Sequence, residues 1–119
     1  MGAKSAIGAY GERVAVEHLQ DAGYEIVDRN WRCDLGEIDV VAFDGVTVVV
    51  CEVKTRSGLG FGSGLEAVTA DKAARLRRLG RRWLDEAGAP AWVTLRFDVI
   101  AVHRARSGPP EVIHLQGAF

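Results

Sequence analysis

Long apolar runs are missing from this chain. The most apolar stretch, Val46 to Val53, is interrupted by Thr47 and Glu52, far short of the ~20 residues a bilayer-spanning helix needs. Met1 to Ile7 carries Lys4 with no apolar run behind it, so no secretory signal is read there. Cysteine is scarce. Cys33 and Cys51 lack metal-type spacing, and Cys51 sits in an apolar strand pattern. That argues against a disulfide scaffold and for a reduced, cytoplasmic protein. Net charge is lacking too: 15 basic and 16 acidic residues leave −1. A passive nucleic-acid coat would be strongly basic, whereas an enzyme on nucleic acid needs only local patches. Lysine is the rare cation, confined to Lys4, Lys54 and Lys72 against twelve Arg. No Ser-His-Asp set, P-loop or dinucleotide fingerprint is present. His103 and His114 show no zinc spacing, and His18 reads as a packed histidine.

What remains fits one domain, residues 1–119, long enough to build a core without staples. Ile7, Val14, Ala15, Leu19 and Ala22 recur at helical spacing from Ser5 to Ala22, and Gly23 supplies a stop. Tyr24 to Arg32 reads as a strand of poor periodicity. Ile38 to Phe43 and Val46 to Val53 are β-branched runs around Asp44-Gly45, a strong hairpin signal. Ser57 to Gly64, with four glycines, reads as a loop. Thr69 caps a helix to about Ala87, closed by Gly88 and Pro90. Trp92 to Val102 and Glu111 to Leu115 read as the last strands, split by Ser107-Gly108-Pro109-Pro110. The order predicts an α/β fold, α-β-β-β-α-β-β, with a mixed sheet and flanking helices.

A two-residue turn at Asp44-Gly45 sets Phe43 against Val46, Val41 against Val48, Asp39 against Val50 and Glu37 against Glu52. Alternation then sends Glu37, Asp39, Glu52 and Lys54 to one face. Asp39 becomes the diagonal neighbour of Glu52, ~7 Å away by Cα. Opposed like charges destabilise a sheet unless something cationic joins them. Clustered oxygen ligands suit a hard cation, Mg²⁺ or Mn²⁺. Lys54 adds a compact charge that can orient water and offset charge on a phosphate in transition. The plainer alternative is a solvated strand end whose acids pair with Lys54, Arg56 and Arg32.

These residues match a known pattern. Gly11-Glu12, Arg29-Asn30-Trp31-Arg32, Gly36-Glu37-Ile38-Asp39 and Glu52-Val53-Lys54-Thr55-Arg56 resemble the YraN family of small bacterial proteins, and Lys72 and Arg96-Phe97-Asp98-Val99 fit it as well. The resemblance spans roughly Ile7 to Val102. That family is similar to the PD-(D/E)xK nucleases, with a restriction-endonuclease-like fold related to archaeal Holliday-junction resolvases. The resemblance implies metal-dependent cleavage of phosphodiesters, with Asp39 and Glu52 as ligands, Lys54 as the catalytic lysine and Glu12 as an auxiliary acid. Ile38 stands where the superfamily often has proline. Glu12 lies on the flank of the apolar face of its helix, so a direction toward the sheet and an ordinary exposed position are both open.

Arg75, Arg77, Arg78, Arg81 and Arg82 lie opposite Leu76, Leu79, Trp83 and Ala87 on the second helix. They form either a solvated face or a phosphate-contacting stripe. Arg29, Trp31 and Arg32 interleave cations with an aromatic, as stacking platforms do, although Trp31 also suits the core. The resulting expectation is a Mg²⁺- or Mn²⁺-dependent DNA endonuclease, with branched DNA as a candidate substrate. The main-chain carbonyl of Val53 would join Asp39 and Glu52 on the ion, and Glu12 or Glu37 would hold a second ion or a water. Arg32, Arg56, Lys72, Arg77, Arg78 and Arg81 are the candidate DNA contacts. A homodimer is a candidate assembly. The rival is a non-catalytic nucleic-acid-binding or protein-interaction module on the same fold. A carboxylate-pair sugar hydrolase leaves Lys54 without a role.

Overall fold

The computed structural model of the chain describes residues 5–57 and 69–118. The elements are helix α1 (Ala6–Asp21), strands β1 (Glu25–Cys33), β2 (Gly36–Phe43) and β3 (Thr47–Ser57), helix α2 (Ala70–Ala87), and strands β4 (Thr94–Arg104) and β5 (Glu111–Leu115). The five strands form one sheet in sequence order. β3 and β4 run parallel and every other neighbouring pair is antiparallel. This is the mixed α/β sheet the sequence predicts. The loop expected over Ser57 to Gly64 lies, beyond Ser57, outside the described residues. No helix among the described residues is long and apolar enough to cross a membrane.

Capping defines both helices. Ser5 Oγ accepts from the Gly8 N–H at 3.1 Å, and Thr69 Oγ1 from the Lys72 N–H at 3.1 Å. Gly88 closes α2 in the left-handed region at φ 65°. α1 buries Ala15 and Leu19 against Val40, Ala42, Val49, Cys51, Ile100 and Val102 on one side of the sheet. α2 buries Leu76 and Leu79 against Ile38, Val41, Val48, Val50 and Phe97 on the other.

The hairpin register differs from the expectation. Phe43 pairs with Val48 and Val41 with Val50, so each β2 residue meets a partner two positions further along β3. Asp44 itself closes the turn. Its N–H donates to the Thr47 carbonyl at 3.2 Å, and its Oδ1 accepts from the amides of Val46 and Thr47 at 2.9 and 2.7 Å. The turn centre therefore slides to Gly45-Val46, with Gly45 at φ 103°.

A second departure lies in β1, where alternation fails twice. The strand shifts register between Ile26 and Asp28, and Asn30 stands at φ 51°. Asp28 and Trp31 consequently both meet the α2 side: Asp28 Oδ2 accepts from Trp83 Nε1 at 2.9 Å, and Trp31 packs on that layer. Arg29 and Asn30, between them, both reach α1. Asparagine tolerates this backbone better than most residues. The poor periodicity of the segment has this bend as its cause.

Candidate functional site

The β2–β3 ladder is paired over Val40–Phe43 and Val48–Cys51. Just past its end, Asp39 Oδ2 accepts from the Val53 N–H at 2.9 Å. A side chain thus takes the place of a ladder bond, which satisfies a strand amide and fixes the Asp39 carboxylate beside the Glu52-Val53-Lys54 backbone. Glu52 points toward α2. Its Oε1 lies 2.6 Å from Lys72 Nζ, with the two side chains 18% and 29% exposed. Its Oε2 is buried and takes no hydrogen bond among the described residues. Burial works against the Lys72 ammonium, but the Glu52 carboxylate outweighs it and lifts Lys72 above the ordinary lysine range. Lys72 is therefore the counter-charge of Glu52 in this structure. Lys54, half-buried on the same strand, adds to the Lys72 environment.

Glu12 resolves in favour of the inward direction: it is 2% exposed. The preceding Gly11 lets α1 approach so closely that a β-carbon there would overlap the Thr55 side chain of β3. Glu12 Oε1 accepts from Asn30 Nδ2 at 2.9 Å and lies 3.7 Å from Arg29 Nη2. Glu37, expected beside Glu52, instead pairs with Arg32 at 3.3 Å and lines a cavity with Glu12, while Glu52 faces α2. The face-sharing of Glu37 with Glu52 is thus corrected, and the irregular backbone around Asn30 and Asp39 is the physical reason. The crowd of three carboxylates is corrected with it: among the described residues no three His, Cys, Asp or Glu side chains converge on one ion position. What stands together is Asp39, the Glu52-Val53 backbone, Glu52 and two lysines.

The basic residues divide. Arg77, Arg78 and Arg81 are exposed on α2. Arg82 is drawn to Asp34 at 2.9 Å. Arg56 Nη1 donates to the Thr55 carbonyl at 3.3 Å. The cavity beside Glu12 measures about 460 Å³ and includes Arg13, Arg29, Asn30 and Arg32 in its walls. Arg13 does not stand out in the sequence. Asn30 belongs to the Arg29-Asn30-Trp31-Arg32 segment, but nothing in that segment marks it as a partner of Glu12.

A second polar cluster has little signature in the sequence. Asp98, 0% exposed, receives Arg96 through two bonds of 2.9 and 2.8 Å, and the Gly117 amide at 3.0 Å. His114 Nε2 lies 2.7 Å from Asp98 Oδ2, and His114 Nδ1 lies 3.0 Å from His18 Nε2. Burial alone would push the Asp98 carboxyl up, but Arg96, Gly117 and His114 hold it below the usual range. The cluster's signals are an aspartate inside the apolar run Phe97 to Val102 and the Arg96-Phe97-Asp98-Val99 segment, neither of which points to His18 or His114. Cys51, beside this layer, is pushed up by burial and stays a thiol.

A family model described as "Uncharacterised protein family UPF0102" matches residues 11–102. A UPF0102 protein of Frankia casuarinae is 55% identical over 119 residues, covering all of both chains. One of Beutenbergia cavernae is 59% identical over 117 residues, covering 98% of each. Among solved structures, a Holliday junction resolvase, Hjc of Archaeoglobus fulgidus, superposes with a TM-score of 0.45 at 19% identity, over 89% of this chain and 75% of that one.

Proposed function

This chain belongs to the uncharacterised protein family UPF0102, the YraN family, and we propose that it is a divalent-metal-dependent DNA endonuclease. The observation that carries the reading is the Asp39–Val53 hydrogen bond, which sets one carboxylate beside the backbone that bears Glu52 and Lys54. The donor set fits a hard cation: two carboxylates and the Val53 carbonyl are all oxygen. Glu52 already carries a cation on Oε1, the Lys72 ammonium, and keeps a buried oxygen without a hydrogen bond among the described residues. Asp39, Glu52 and the Val53 carbonyl would hold Mg²⁺ or Mn²⁺. Such an ion supplies Lewis acidity and an acidified water.

The chain's own groups do the rest. Lys54 orients the attacking water and offsets charge on the phosphate, as a compact amine can. Asp39 is kept in place by the Val53 amide, so little reorganisation is needed on substrate arrival. Glu12, held by Asn30 and Arg29, keeps α1 and β1 aligned at the edge of the centre. Arg56 and the exposed Arg77, Arg78 and Arg81 contact phosphates and set register without reading sequence. We place the protein in the cytoplasm, where the free Cys33 and Cys51 stay reduced.

The second reading, a non-catalytic nucleic-acid-binding module, is favoured by one observation: Glu52 is satisfied in part by Lys72 within the chain. An assay of linear, nicked, flapped and four-way DNA with Mg²⁺ and Mn²⁺ separates the two. Cleavage of at least one substrate, abolished in Asp39→Ala, supports the nuclease. Binding without cleavage on the whole panel supports the module.

A further inference from the structure

We propose that the cavity between α1 and β1 is a subsite for one unpaired nucleotide of a DNA strand, held through its phosphate by Arg13, Arg29 and Arg32. The inference rests on the nuclease reading for its setting, but its chemistry stands on the cavity itself. Three guanidinium groups from two elements line about 460 Å³, against the two carboxylates Glu12 and Glu37. Those carboxylates are engaged with Arg29 at 3.7 Å and Arg32 at 3.3 Å. Arg13 has no carboxylate partner among the described residues, and its guanidinium lies 5.9 Å over the Tyr10 ring. Arg104 approaches the same ring at 5.3 Å, adding a further cation nearby. The set is short of one negative charge. A phosphodiester supplies one, and the guanidinium fork matches its oxygens.

Volume decides the class of ligand. The space falls in the lower half of the roughly 300–1,000 Å³ typical of small-molecule sites. That is room for a single nucleotide. A base in a duplex must leave its stack to enter, at a cost of a few kcal/mol, so a base already unpaired enters with less opposition. Arginine planes and the Asn30 amide offer it stacking and hydrogen bonding. Glu12 is then a positioning residue. It fixes Arg29 and the left-handed Asn30, a conformation that needs such support to persist at a cavity wall. The substrates selected are single-stranded ends, flaps and branch points.

The test is fluorescence anisotropy in EDTA, with a labelled single-stranded thymidine dodecanucleotide and a blunt DNA hairpin of matched charge. The readout is the ratio of the two affinities. Arg13→Gln with Arg32→Gln removes charge, while Ala9→Phe fills the cavity and removes none. Each should lower the single-strand preference at least fivefold, with thermal melting confirming the fold. An unchanged ratio in folded variants overturns the subsite, and the arginine pair decides alone if Ala9→Phe does not fold. No divalent ion is present, so a protein that cleaves nothing still answers this question, and failure of the subsite leaves the Asp39–Glu52 centre untouched.

Discussion

Gly11 and Lys72 show how much single side chains decide. Alanine in a helix interior normally gains about 0.5–1 kcal/mol over glycine. At Gly11 the added methyl would meet Thr55, and such overpacking costs about 1–3 kcal/mol. The clash wins, so Gly11→Ala should lower the midpoint of urea unfolding despite its better propensity. Mn²⁺ or Mg²⁺ should raise the melting temperature of the wild type, and Asp39→Asn should remove most of that gain. Lys72→Gln takes away the ammonium that Glu52 now holds. Its metal-free form should melt lower and its stabilisation by Mn²⁺ should grow, because a competing cation is gone. A calorimetric scan that finds identical responses in all three proteins would show that these carboxylates hold no ion. The identity of the candidate residues was legible in the sequence, since Glu52-Val53-Lys54 and Asp39 sit at strand spacing. The Lys72–Glu52 pair was not, because it joins residues 20 positions apart across a crossover.

Helix α1 was legible from its apolar spacing, and α2 from its caps Thr69 and Gly88, which are local signals acting through nearby backbone groups. The β2–β3 register was not. Asp-Gly announces a hairpin, but whether Asp44 stands inside the turn or closes it depends on its side-chain bonds to Val46 and Thr47. The bend at Asn30 was invisible for a similar reason: it is fixed by Glu12, 18 residues away. These two features are why strand alternation alone sets Glu37 beside Glu52. On α2, Arg77, Arg78 and Arg81 leave the packing to Leu76 and Leu79. Replacing the three arginines by glutamine should preserve the fold and weaken duplex binding. The log–log salt slope should become shallower by about one for each phosphate that the helix no longer neutralises. An unchanged slope in a salt titration would return this face to plain solvation.

For the molecule as a whole, acid stability follows from the cluster that ties β4, β5 and α1 together. Burial, then the neighbouring His114, lowers the pKa of His18, so folding favours its neutral form. The unfolded chain binds more protons below about pH 6.5, and stability should decline as pH falls through that value. Asp98 behaves as a depressed carboxyl: its contribution is complete above its unfolded pKa of about 3.9 and disappears as pH falls through the lower folded value. Urea unfolding at a series of pH values should therefore show two declines, and His18→Gln should erase only the upper one. The architecture that positions this cluster was legible from the order of elements. The cluster was not, because it gathers residues from both ends of the chain. The claim on which the functional account rests is that Lys54 acts chemically beside Asp39 and Glu52. Single-turnover cleavage of a panel substrate at saturating Mn²⁺, with affinities matched, tests it. Lys54→Ala should slow cleavage at least ~100-fold with binding retained, and Lys54→Arg should not restore the rate, because a guanidinium cannot exchange a proton as an amine does. A fully active Lys54→Arg enzyme would contradict the account.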